Sequence, residues 1–216
     1  MTAAQLRNET LVRRREPLLG WRLWRARGQT LESWAVTFAW EPGANEAHCL
    51  APAGPCRVSP GPRCMCGYWA VFSPLRALAR GRAERTEDAT VLGLIRGWGE
   101  AAVHGAEGFR VQHAQLACLF ADWVWDAPDL PCPGGGLERV VWLMKRRLGY
   151  VPRPVPAHPA RRQTLEGVAT KYGVPLLTLA DSLRFNVLTE LGAGRDMIGE
   201  VRAWLEMASS VRVGQF

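Results

Sequence analysis

The chain has 216 residues and a mass of 23.9 kDa, and its 48% hydrophobic and 22% charged content suits a globular fold with a sizeable core. Arg, Gly, Pro or Glu interrupts the apolar stretches every few residues, so no run reaches the roughly 20 apolar residues that a membrane-spanning helix needs. The net charge of +7 comes from 25 Arg, 2 Lys and 20 acids.

That excess is uneven. Residues 1–27 hold seven Arg against Glu9 and Glu16, whereas 28–160 and 161–216 each come to +1. Residues 1–19 therefore read as a basic N-terminal arm, in which Arg13, Arg14 and Arg15, with Arg22 and Arg25 just beyond, are candidates for phosphate contact. The other reading is a solvated tail. No apolar segment of the signal-peptide kind accompanies these arginines, and the expected compartment is the cytoplasm. Arg in such excess over Lys also reflects a GC-rich genome.

Gly20 to Arg25 alternates apolar and basic residues, and Arg27-Gly28 offers a turn before Gln29 to Ser33, which predicts a hairpin. Trp34, Val36, Phe38 and Trp40 then recur at period two, as in a strand covered on one face. With 10 Trp spread along the chain, this stripe reads as core rather than as a base-stacking platform. Residues 42–67 are rich in Pro and Gly and too poor in periodic apolar residues to fold by burial alone. Ser73-Pro74 predicts a short helix running towards Gly81.

A second strand pair is predicted over 91–103 and 109–120, with a turn at 105–108. Gly93, Gly97 and Gly99 suggest bulges or close backbone approach. Residues 137–148 follow an amphipathic helical pattern ending at Gly149, and the prolines of 150–160 predict an extended linker. Beyond it, 161–216 reads as a helical domain with helices at 165–172, 175–185 and about 196–207. The predicted architecture is α+β: a curved antiparallel sheet domain over 20–149 with a Cys-rich loop, then the small helical domain.

Four of the six cysteines fall in the core-poor loop, as Cys49-x6-Cys56-x7-Cys64-x-Cys66 with His48 alongside. Thiolates are the soft ligands that zinc prefers, and four of them can close a tetrahedral structural site that contributes folding energy. The spacing is not a paired C-x2-C, and a Cys49–Cys56 disulfide or simply buried thiols are the alternatives. Cys118 lies in an apolar run and reads as core. Cys132 lies between prolines and reads as a loop thiol.

Trp40-Glu41-Pro42-Gly43, Cys49, Cys64-Met65-Cys66-Gly67-Tyr68-Trp69-Ala70, Gly97-Trp98-Gly99, Val103-His104 and Gly108-Phe109-Arg110 together resemble the pattern of an uncharacterised family of actinobacterial and phage or mobile-element proteins. The resemblance covers about residues 20–120. It implies a shared β-rich fold and a structural role for Cys49, Cys64 and Cys66. Cys56 stands outside the pattern, and the resemblance carries no activity with it.

His104, Glu107 and Arg110, with His113 close behind, put an imidazole, a carboxylate and a guanidinium near one hairpin, where His104 could act as a general base and Arg110 bind an anion. No nucleophile accompanies them, and neither glycine-rich stretch has the form of a phosphate-binding loop. In the tail, Ala169, Gly173, Val174, Leu179 and Leu183 resemble a helix-turn-helix whose second helix would present Thr178, Asp181, Ser182 and Arg184 outwards. The same stretch also resembles the helices of a LysM carbohydrate-binding module, without its flanking strands. The sequence thus points to a non-enzymatic nucleic-acid-binding or accessory protein of a phage or mobile element, with Arg13, Arg14, Arg15, Arg22, Arg25, Thr178, Ser182 and Arg184 as nucleic-acid-contacting candidates. A protein-interaction adaptor whose tail docks a partner, and a small enzyme centred on His104 and Arg110, are the alternatives.

Overall fold

The computed structural model describes residues 10–33, 38–51, 55–62, 64–77, 89–122 and 159–210. The predicted helix over 137–148, most of the proline linker, Cys132, Trp34 and Val36 lie outside them. The architecture is α+β, a seven-stranded sheet with helices.

Strand β1 (Thr10–Arg27) turns through Gly28 into β2 (Thr30–Ser33), with Trp24 opposite Ser33 and Arg27 opposite Thr30. Gly28 has φ +55°, a left-handed conformation in which glycine carries no Cβ penalty. The hairpin thus forms where the sequence places it, but β1 starts earlier than the hairpin pattern, and residues 10–19 of the expected arm are strand.

Ala44–Glu46 forms β3 and Tyr68–Val71 forms β4, with the Cys-rich loop between them. After β4, Ser73 accepts on its Oγ from the Arg76 amide at 3.2 Å, capping a helical turn over 74–77. Ala89–Val103 and Gly108–Phe120 form the predicted long pair, β5 and β6. Their register shifts between Leu94 and Ile95 and again between Trp98 and Ala101, and Gly99 in the second irregularity has φ +85°. A Cβ at Gly93 would come within 2.5 Å of the Cys118 carbonyl oxygen, so that glycine answers a close approach of two backbones.

Strand β5 pairs with β1 along one edge and with β6 along the other. The far edge of β6 takes β4 at Gly108–Val111, then β3 at 113–115. Because Val71 of β4 also pairs with Trp21 of β1, the circuit β1, β5, β6, β4 closes on itself. A Cβ at Gly20, beside this closure, would lie 2.6 Å from the Phe109 ring and 2.7 Å from Ala70.

Period-two alternation along β1 sends its side chains into two apolar clusters. Trp24 joins Leu31, Trp40, Tyr68, Phe109 and Val111, while Trp21 and Leu23 join Leu92, Leu94, Cys118 and Phe120. The Trp40 ring meets Trp24 edge-on at 5.3 Å and Tyr68 at 4.8 Å. Trp40 is therefore core, as the stripe predicts.

The tail contributes to both clusters. Helix α1 (Pro159–Tyr172) adds Leu165, Val168 and Tyr172 to the first. Helices α2 (Leu179–Arg184), α3 (Val187–Glu190) and α4 (Arg195–Ser210) add Leu179, Leu188, Val201 and Trp204 to the second. Gly173, at φ +63°, ends α1. The helix expected from residue 175 starts instead as strand β7 (Leu176–Leu177), parallel to Leu119 and Phe120 of β6, with the Pro175 carbonyl accepting from the Leu119 amide at 3.0 Å. The sheet is thus mixed rather than wholly antiparallel. The physical reason is that β6 offers Leu119 and Ala121 backbone donors at a free edge, and two leucines can bond there while packing against the core.

Candidate metal centre

Two anchors fix the ends of the Cys-rich loop. At the first, the buried Asn45 side chain accepts from the Glu41 amide at 2.9 Å and donates to the carbonyls of Glu41 and Gly43, while the Ala47 amide donates to the Gln112 carbonyl. At the second, Gly67 turns the chain from Cys66 into β4 with φ +104°. A Cβ there would sit 3.2 Å from the Val111 carbonyl and 3.3 Å from the Arg110 Cβ.

Between these anchors the sulfurs of Cys49, Cys56, Cys64 and Cys66 converge, all within 4.8 Å of one another. The Sγ of Cys49 is 3.6 Å from those of Cys56 and Cys64, and Cys66 Sγ is 3.9 Å from that of Cys56. Four thiolates at about 2.3 Å from a tetrahedral ion stand about 3.8 Å apart. A disulfide requires about 2.05 Å, and these four cysteines are free thiols. The four can therefore hold a metal ion. Cys56, outside the family-like pattern, completes the set; His48 is exposed and not part of it.

Backbone amides face the sulfurs. Hydrogen bonds from the Cys56 and Ala51 backbone hold the Cys49 thiol down to about 6, which favours the thiolate a metal needs. Its thiol neighbours, Cys49 foremost, push Cys56 up to about 12, as expected when several sulfurs share few protons. Burial raises Cys64. The Gly61 amide donates to Cys66 Sγ at 3.3 Å, and a Cβ on Gly61 would run into the Cys56 side chain. Gly61 thus belongs to the site, although its only sequence signal is its place among prolines.

Beneath the cluster lies Arg110, fully buried. Its Nη1 donates to the carbonyls of Cys64 and Cys66, the second at 2.9 Å, and its Nε donates to His104 Nε2 at 3.3 Å. The guanidinium is 5.2 Å from the centre of the Trp69 ring, which itself stacks on His104 at 5.0 Å. The pair considered as base and anion binder is thus engaged with the C-x-C segment, inside the fold.

The nucleic-acid-contacting candidates are dispersed. Arg13, Arg14 and Arg15 are exposed on β1, Arg13 lying 3.8 Å from Glu100. Arg22 points inwards: it bonds the Trp69 carbonyl and Ser33 Oγ, lies over Trp40 at 5.0 Å, and burial lowers it to about 10. Arg25 is half-buried. Thr178 caps α2, its Oγ1 accepting from the Asp181 amide at 3.0 Å. Ser182, expected to face outwards, is buried and donates to the Leu179 carbonyl at 2.7 Å. Docking of α2 on the sheet turns that face inwards and leaves Arg184 exposed. Among the described residues no helix is long and apolar enough to cross a membrane. No family model matches the chain, and neither does any curated protein or solved structure.

Proposed function

We propose that the chain is a non-enzymatic nucleic-acid-binding protein, an accessory factor of a phage or mobile element, in which a structural zinc at Cys49, Cys56, Cys64 and Cys66 holds the loop that leads into β4. The observation that carries the binding reading is the row Arg13, Arg14, Arg15, exposed on an ordered strand rather than on a loose tail. Arg13 reaches Glu100, two residues along β5 from Trp98, and Trp98 lies on His113 at 5.9 Å with Arg96 exposed beside it. Exposed cations near a half-buried aromatic pair suit phosphates and an unstacked base better than they suit a reaction. The sheet surface takes the place of the helix expected to face nucleic acid in the tail, because Ser182 faces the core. Zinc is the metal that four thiolates in a tetrahedral arrangement favour.

A salt series with labelled single-stranded and duplex DNA tests the reading. Affinity should fall steeply with salt, and replacing Arg13, Arg14 and Arg15 together by Gln should reduce the log–log slope by about 3. No binding at low salt would overturn it. The adaptor reading keeps one observation in its favour: Leu50, Val58 and Met65 of the metal loop are 74%, 42% and 50% exposed. A partner held there would bind with little salt dependence.

A further inference from the structure

A divalent ion held by four thiolates carries a net charge of −2, and at half-buried sulfurs water screens that charge only in part, so a cation held nearby stabilises it. Three features place a cation where it would compensate. Arg110 is fully buried, so its charge is poorly screened by water. Its guanidinium is held at the backbone of two of the four ligands, through the carbonyls of Cys64 and Cys66. Its position is over-determined: β6 pairs Arg110 with Trp69 of β4, the guanidinium stands over the Trp69 ring, and His104 accepts from Nε.

We propose that Arg110 is the internal counter-charge of the metal centre, a positioning residue whose positive charge and the −2 of the loaded site stabilise each other across the Cys64–Cys66 backbone. The inference rests on the zinc reading. It differs from a purely geometric clamp in two respects. A clamp needs the planar fork of the guanidinium and serves the loop with or without metal, whereas a counter-charge needs only a cation and is worth most when the metal is bound. Because the coupling is reciprocal, it must appear as a change in metal affinity.

The test measures zinc affinity by chelator competition, and the cobalt(II)-thiolate absorption spectrum, for wild type, Arg110→Lys and Arg110→Gln. Glutamine removes the charge and should cost about 10–100-fold in affinity, the range typical of residues that support metal ligands. Lysine keeps the charge but loses the fork and the Trp69 contact, and should retain clearly more affinity than glutamine. Thermal unfolding should show Gln lowering the melting temperature more in the metal-loaded than in the metal-free protein. Lysine and glutamine losing affinity alike, or equal destabilisation of both forms by glutamine, would overturn the proposal. If Arg110→Gln does not fold, wild type against Arg110→Lys still decides, since a lysine loss as large as the roughly 10–100-fold expected of glutamine contradicts a requirement for charge. Wild type that binds no zinc would end the zinc reading itself, an outcome distinct from the others.

Discussion

Gly61 shows how a single hydrogen in place of a side chain shapes the site. Its amide donates to Cys66 Sγ at 3.3 Å, and the space where a Cβ would stand is taken by Cys56, whose own Cβ would be 2.8 Å away. Gly61→Ala should therefore displace one sulfur of the cluster and, on the zinc reading, weaken zinc retention about tenfold or more, with the far-UV circular dichroism of the sheet unchanged. Chelator competition checks it, and wild-type affinity would mean that the loop yields freely. The four cysteines were legible because soft ligands crowd a segment with no apolar periodicity to fold it. The role of Arg110 was not, since the carbonyls it bonds are 46 and 44 residues away in the chain. Arg22 departs from its expected exposure for a related reason: an arginine in an alternating strand reads as solvent-facing, but the Trp40 face and the Ser33 hydroxyl receive it.

Among the elements, the β1–β2 and β5–β6 hairpins were legible because their turns are local and carry glycine where φ is positive, at Gly28 and Gly105. Strands β3 and β7 were not: their pairing is set by the β6 edge, distant in sequence. The junction of β7 and α2 carries a pH dependence. Both carboxylate oxygens of Asp122, at the end of β6, accept from the Leu179 amide, at 3.1 and 3.0 Å. Burial nevertheless pushes Asp122 up to about 6 from an ordinary 3.8, and the charge of Asp181 adds to the rise. Since the folded value exceeds the unfolded one, this contribution is complete below about pH 4 and is lost as pH rises through 6, a swing on the order of 3 kcal/mol. Urea unfolding of wild type compared with Asp122→Asn should give a stability difference that changes in that sense between pH 4 and 7. A constant difference would contradict the assignment.

At the scale of the whole molecule, Tyr172 joins the last third of the chain to the first. Its hydroxyl donates to the Trp40 carbonyl at 2.7 Å and accepts from the Leu31 amide at 3.0 Å, both buried. Tyr172→Phe leaves a donor and an acceptor unmet and should cost about 1–3 kcal/mol, read from urea unfolding. No loss would show that α1 does not depend on this bond for its docking. The closed circuit of strands also bears on how the protein is made. All four clustered cysteines lie ahead of residue 67, while the strand that supports the loop from beneath, with Arg110 on it, begins only at Gly108. During synthesis from the N-terminus the thiols therefore leave the ribosome before their scaffold exists. Under the zinc reading proposed above, early capture of the ion would protect them from oxidation over that interval and deliver β4 in shape to the last strand of the ring.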